Sequence, residues 1–298
     1  MTAISVIIPT KSRGSTILAA VQSIGNQSVR IDEVVIVDGS QEMSDPSIFE
    51  VILHGCPHAP GIRYIHAPED RGLTAARNRG VKESKGQVIQ FLDDDAILDP
   101  DYFYYLLKAF KSPIAGGVSG LVIEPDRKIS ILKKILFRVF YIGPFRQNRE
   151  EIFFSNRKNI IQTNTLPGVG AYRREVFDNE KFDEKLTGSC IGEDIDFSYR
   201  VGLRTKLFIQ PLSKIYHYPS PIERQSIRWI YSSKVEFYYY HYKKNLNTIP
   251  FAQVAFLWLN IGFFFHALLQ FNYRAVRGVI DGWFSIAQSI VSRSLNNE

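Results

Sequence analysis

VIQFLDDD, residues 88–95, is the stretch on which the fold turns. Val88, Ile89, Phe91 and Leu92 make a short apolar run of buried-strand character. Three adjacent carboxylates, Asp93, Asp94 and Asp95, close it. Folding gains nothing from three like charges at the tip of a buried strand, because their repulsion destabilises it unless a cation is present. Hard oxygen donors at a strand end point to Mg²⁺ or Mn²⁺, together with a diphosphate. A solvated acidic turn ahead of a helix opened by Pro100 would use the same residues.

Outward from this stretch, short apolar runs alternate with helical periods. ISVIIP (4–9), VVIV (34–37), IRYI (62–65) and VSGLVI (118–123) are strand-like. Helical periods fall at 16–24, at 74–83 with Thr74 as N-cap, and after Pro100. Apolar strands that do not alternate, separated by helices, predict a mostly parallel α/β sheet covered on both faces. Ligands of such sheets bind beyond the carboxyl ends of the strands. Asp38 closes the second strand as the acid run closes the fourth, so both belong to one pocket.

The charge is unevenly spread. Lys and Arg number 25 against 26 acids over residues 1–200, but 11 against 4 over 201–298. A neutral front and a basic, aromatic rear suggest a soluble catalytic part (1–222) followed by a helical, membrane-associated region (223–298). Residues 249–271 carry no formal charge and are long enough to span a bilayer, though Gln253, Asn260, His266 and Gln270 interrupt them. A shallow or re-entrant helix fits equally well. Residues 275–295 are amphipathic, with Val276, Val279, Ile280, Trp283, Ile286, Ile290 and Val291 on one side. Residues 127–158 are basic and amphipathic, which suits either an anionic membrane surface or an ordinary surface helix. No nucleic-acid motif accompanies the charge, so nucleic acid is not expected as a partner. Cys56 and Cys190 lack metal-ligand spacing and fit a reducing compartment. The N-terminal residues lack signal-peptide character, which places the catalytic part at the cytoplasmic face of the cell membrane.

Six motifs in order carry a family likeness: VIIPTKSR (6–13), VVIVDGS (34–40), GLTAARNRG (72–80), FLDDDAILDPDYF (91–103), GVGAYRREVF (168–177) and GEDIDFSYRV (192–201). The chain resembles the family 2 glycosyltransferases over about residues 4–218. The resemblance implies the GT-A fold, a Rossmann-like, mixed and mostly parallel sheet flanked by helices. It also implies inverting transfer from a nucleoside diphosphate sugar, with Mg²⁺ or Mn²⁺ on the diphosphate; one marginal apolar stretch, without the multi-helix channel of a processive synthase, favours transfer of a single sugar.

The resemblance assigns roles by position. Pro9 and Thr10 contact the nucleobase and ribose, with Arg13 helping with charge. Asp38 accepts from a uracil or thymine ring, making UDP- or dTDP-linked donors the expectation. Arg77 lies near the nucleotide, where a guanidinium fork matches phosphate oxygens. Asp93 and Asp95 match a DXD signature, with Asp95 as metal ligand and Asp93 or Asp94 on the ribose. His217 is a further metal ligand in some members; a His between two tyrosines is also an ordinary packed residue. Gly170, in a run of small residues, lets a sugar ring approach or simply makes a tight turn feeding a helix at Arg174. Asp194 is the general base, with Glu193 its understudy, although paired acids at a helix N-terminus also act as caps.

The basic rear then implies a glycan or lipid-linked acceptor at a membrane. Two rivals use the same acids: a nucleotidyltransferase acting on a nucleoside triphosphate, and a non-catalytic membrane-peripheral scaffold with a GT-A fold. The first would want a Gly-rich, basic first loop, and the second predicts loss of the acids.

Overall fold

The computed structural model describes residues 2–12, 16–70, 72–125, 131–148, 158–187, 191–219 and 225–295. It divides into two compact units, one of residues 1–126 and 148–222, the other of residues 127–147 and 223–298.

The first unit is built on a nine-stranded sheet. β1 (Ile4–Thr10), β2 (Glu33–Asp38), β3 (Gly61–His66) and β4 (Val88–Phe91) are parallel, in the order β3-β2-β1-β4. Beyond β4 the sheet becomes mixed. β8 (Ala171–Arg173) inserts antiparallel between β4 and β6 (Ala115–Ile123), and β9 (Lys206–His217) runs parallel to β6. β5 (Ala96–Leu98) and β7 (Ile161–Thr163) both pair antiparallel with β9.

The lack of alternation in the sequence has a direct cause, since both faces of the sheet are buried. Ile4, Val6 and Ile8 face α1 (Thr16–Gly25), where Ile17, Val21 and Ile24 complete one core. Ile7, Val35, Val37 and Phe91 lie in a second core with Ala76 of α3 (Leu73–Glu83) and Phe197 of α6 (Glu193–Gly202). α2 (Ser47–Leu53) and α4 (Tyr102–Ala109) add Phe49, Phe103 and Leu106 to the first core.

Two local expectations change. Thr74 lies inside α3 rather than capping it, because Gly72, at φ +113°, takes the N-cap position. The Thr74 hydroxyl donates instead to the Leu186 carbonyl (2.8 Å). The run at Gly170 feeds strand β8 and then a short 3-10 turn (Arg174–Asp178), not a full helix. The bond from Arg174 N to Gln87 O ties that turn to the start of β4.

The second unit contains α5 (Ile131–Phe140), α7 (Ile227–His241), α8 (Ala252–Leu269) and α9 (Tyr273–Leu295). Ser226 caps α7 by accepting from Trp229 N (3.2 Å). Gly278 and Gly282, one turn apart on α9, allow close packing on α7. A Cβ at Gly278 would lie 2.3 Å from Arg228 O, and one at Gly282 would lie 2.7 Å from Val235 Cβ. α8 is the one helix among the described residues long and apolar enough to cross a membrane, and 44% of it is buried.

α3 is pressed onto β1 just behind the strand ends. A Cβ at Gly80 would sit 2.3 Å from Ile7 Cγ2. Gly80→Ala is expected to destabilise the protein by about 1–3 kcal/mol through overpacking. Urea unfolding read as a lowered midpoint at constant slope checks it.

Candidate active site

Three neighbouring strand ends define the site. Thr10 ends β1 and pairs in register with Asp38, which ends β2. Asp93 follows β4, whose Phe91 pairs with Ile7 of β1. Parallel strands must release the chain at the same edge, so Thr10, Asp38 and the acid run meet there.

Asp38 is 1% exposed. Its Oδ1 accepts from Ser40 N (2.8 Å) and the Ser40 hydroxyl, and its Oδ2 from Tyr64 OH (2.5 Å) and Ser44 Oγ (3.3 Å). Burial alone would raise its pKa, but these bonds outweigh burial and hold it below the usual carboxylate range. The acceptor positions of Asp38 are thus taken up in organising the loop that follows β2. That loop, with Thr10, Phe49 and Tyr64, lines a cavity of about 560 Å³, a volume in the range of small-molecule sites. Another hollow of about 590 Å³, lined by Pro113, Arg173, Glu180 and Arg204 among others, contains none of the strand-end acids.

The three aspartates point different ways. Asp94 is buried and accepts from the Thr10 hydroxyl (2.6 Å), which ties the acid run to the end of β1. Asp95 precedes β5, and the β5–β9 register pairs Ala96 with His217. That pairing brings His217 Nε2 within 3.1 Å of Asp95 Oδ1, while Nδ1 lies 3.8 Å from Glu124 Oε1. Burial disfavours the imidazolium, but the Asp95 hydrogen bond and the nearby Glu124, Asp93 and Asp95 carboxylates prevail, lifting its pKa to about 10. Asp93, Asp95 and His217 each offer a donor atom, all within 4.8 Å of one another. Two carboxylates and an imidazole suit a divalent cation such as Mn²⁺ or Mg²⁺.

Arg77 is the connecting residue. It is 1% exposed, lies 5.7 Å from the Phe91 ring centroid and 5.3 Å from that of Phe182, and points into the acids. Nη1 donates to Glu193 Oε1 (2.8 Å), and Nη2 faces Asp93 Oδ1 at 3.5 Å. Burial penalises its charge, but Glu193, Asp93 and Asp194 together keep it protonated. Its fork is therefore turned on protein carboxylates. Glu193 is buried as well. Burial and the adjacent Asp194 charge push its pKa up, and Arg77 only partly offsets them.

α6 begins here because Gly192 adopts φ +87°, a left-handed turn that favours glycine. Its Asp194 is only partly buried, and Asp194 Oδ1 accepts from Ile195 N (2.8 Å). Of the paired acids, Glu193 is buried against Arg77, whereas Asp194 is only partly buried.

The remaining expected residues fall as follows. Pro9 is buried one residue before the end of β1. Gly170 makes a tight turn, donating to Pro167 O (2.9 Å), and a Cβ there would crowd that same oxygen at 3.2 Å. Gly168 is the small residue beside the acids; a Cβ there would lie 2.9 Å from Arg77 Nη2. Arg13 lies outside the described residues. Sequence reasoning missed Glu124, which directly follows the buried strand β6 much as Asp93 follows β4. It also missed Ser40, Ser44 and Tyr64 around Asp38.

Comparison with known proteins agrees with this architecture. The profile of Glycosyl transferase family 2 matches residues 5–180. Glycosyltransferase EpsH of Bacillus subtilis is 24% identical over 72% of this chain and 60% of its own. The glucosyl-dolichyl phosphate glucuronosyltransferase of Haloferax volcanii is 30% identical over 41% of this chain and 39% of its own. The crystal structure of GalNAc-T7, which holds UDP, GalNAc and Mn²⁺, superposes with a TM-score of 0.55 at 19% identity. That superposition covers 85% of this chain and 53% of GalNAc-T7, and the likeness is one of fold. The chain belongs to glycosyl transferase family 2. The EpsH match spans about 60% of that relative's length.

Two outcomes follow from the charges. The His217 pKa lies above its ordinary 6.5, so the stabilisation from its acid partners is complete below pH 6.5 and fades as pH rises through about 10. Melting temperature of the metal-free protein, followed across that interval, should show the decline, and His217→Gln should flatten it. Arg77→Met, which leaves Glu193 buried without its cation, is expected to cost about 3–5 kcal/mol by urea unfolding at neutral pH.

Proposed function

We propose that this chain transfers a single sugar from a nucleoside diphosphate sugar to an acceptor hydroxyl, with inversion. The observation that carries the reading is the Arg77 bridge, which brings the Glu193–Asp194 helix start up to Asp93 in the acid run. Base and leaving-group functions of one displacement need that proximity.

The cavity beside Asp38 takes the nucleoside, uridine or thymidine, with Asp38 ordering the loop that lines it rather than accepting from the base. Thr10, fixed by Asp94, borders the sugar of the nucleoside. Asp93, Asp95 and His217 hold a divalent ion, Mn²⁺ or Mg²⁺. When bound, that ion neutralises the diphosphate as negative charge develops on it. Asp194 accepts the proton of the acceptor hydroxyl. The acceptor oxygen bonds to the anomeric carbon while the bond from that carbon to the phosphate oxygen breaks, and the nucleoside diphosphate leaves with the electron pair. Glu193, turned onto Arg77, positions the start of α6 and with it Asp194. Partial exposure of Asp194 suits a base that must reach an incoming substrate.

A glycan or lipid-linked acceptor completes the reading. The basic rear of the chain supports it, as does the likeness to a relative named for glucosyl-dolichyl phosphate. The site then works at the cytoplasmic face of a membrane, and the reaction contributes to a cell-surface polysaccharide.

Release of nucleoside diphosphate from UDP- and dTDP-sugars, with and without Mn²⁺, tests this. Slow Mn²⁺-dependent hydrolysis is expected, and Asp95→Asn should abolish it. Asp194→Asn should lower transfer to an added acceptor by about 10²–10⁴-fold while leaving the donor-induced rise in melting temperature intact. Consumption of nucleoside triphosphates instead, or undiminished transfer by Asp194→Asn, would contradict the assignment.

A further inference from the structure

α8 is apolar on both of its faces. Phe256, Leu259, Phe263 and Ala267 are buried inside the second unit. On the opposite stripe, Val254, Leu257, Trp258, Ile261, Phe265 and Leu268 are 38–62% exposed, spaced three or four residues apart apart from the neighbours Leu257 and Trp258. α5 repeats the pattern, with Ile131, Ile135 and Val139 exposed at four-residue spacing. A water-facing helix normally presents a polar outer face. Contiguous bare apolar surface of this kind marks a docking site.

The way the two helices pack decides what docks. Trp258 Nε1 donates to Val139 O (2.8 Å), and Phe140 lies against Trp258 (ring centroids 5.0 Å apart) and Phe265 (6.3 Å). At Gly262 a Cβ would lie 2.4 Å from Phe140 Cβ. The C-terminal end of α5 is therefore pressed onto the middle of α8. That puts the exposed Arg138 at what would be mid-membrane depth if α8 crossed a bilayer. Arg at that depth is disfavoured. Cations also stand at both ends of α8, with Lys243 and Lys244 before it and Arg274 and Arg277 after it. A crossing helix concentrates them on one side, whereas a helix lying in the interface keeps both ends at headgroup level.

We infer that the second unit is a monotopic platform. α5 and α8 lay their exposed apolar stripes into one leaflet of an anionic bilayer, with Arg138, Lys243, Lys244, Arg274 and Arg277 near the phosphates. This rests on the placement of the enzyme at a membrane and specifies how it is held there; the residues lie outside the acid cluster, so its failure would leave the sugar-transfer chemistry standing.

Flotation of the full chain with vesicles tests the surface. Binding to phosphatidylcholine vesicles containing phosphatidylglycerol is expected, at least about tenfold tighter than to phosphatidylcholine alone. Leu257→Glu combined with Ile261→Glu should abolish flotation while Mn²⁺-dependent donor hydrolysis persists, showing that the variant is folded. A second measurement fixes the orientation. With Cys56→Ser and Cys190→Ser, single cysteines from Lys244→Cys or Asn272→Cys are probed in sealed inside-out vesicles of expressing cells. An impermeant maleimide should label both positions without detergent. Labelling of only one end, absence of flotation, equal flotation of the double variant, or a dimer that covers the stripe and does not float would overturn the inference.

Discussion

A single buried cation organises the site. Arg77 is enclosed between Phe91 and Phe182, with its guanidinium turned to Glu193 and Asp93. An unpaired charge in that environment would be severely destabilising. The fold tolerates Arg77 only because α3, the end of β4 and the start of α6 all converge on it. α6 is far in sequence from the other two, so the guanidinium is the device that brings its acids to the acid run. Gly168 leaves the room it needs, since any side chain there would collide with it. The two acids at the start of α6 consequently differ. Glu193 is buried against Arg77 and pushed toward its neutral form, while Asp194 is only partly buried. Environments that separate two adjacent carboxyls in this way are a recurring means of dividing catalytic roles.

Much of this was legible in the sequence, for an identifiable reason. Buried parallel strands are written as unbroken apolar runs, and each must end at the same edge. The residues just after those runs, Asp38 and Asp93 to Asp95, therefore announce a shared pocket without any knowledge of packing. The glycine and acid at the start of α6 were equally visible. What could not be seen depends on pairings between distant segments. β8 is three residues long and is defined by insertion between β4 and β6, not by its own pattern. His217 reaches Asp95 because β5 pairs antiparallel with β9, and the same geometry brings in Glu124. The resemblance placed Arg77 near the nucleotide but gave no sign of its burial. Its burial follows from the two phenylalanines supplied by other elements. Thr74 lost its capping role to a glycine whose backbone conformation leaves no trace in a propensity scale.

The rear of the chain shows how composition and packing answer different questions. Apolar length alone admits a membrane span in α8. The contact with α5 is what makes a span costly, because it ties an arginine-bearing helix to the middle of the apolar one. The basic excess after residue 200 then acquires a location, at the two ends of α8 and beside its midpoint. The second unit also includes residues 127–147, which in sequence lie between the two stretches of the sheet unit.

In the proposed reaction Asp93, Asp95 and His217 would hold a divalent cation that meets the donor diphosphate. Electron–nuclear double resonance of the Mn²⁺-loaded protein with UDP reads that contact as a phosphorus coupling to the metal. The account predicts a clear phosphorus coupling in the wild-type protein and its loss in Asp95→Asn. Bound Mn²⁺ with no phosphorus coupling, or a coupling unchanged when Asp95 is removed, would contradict it.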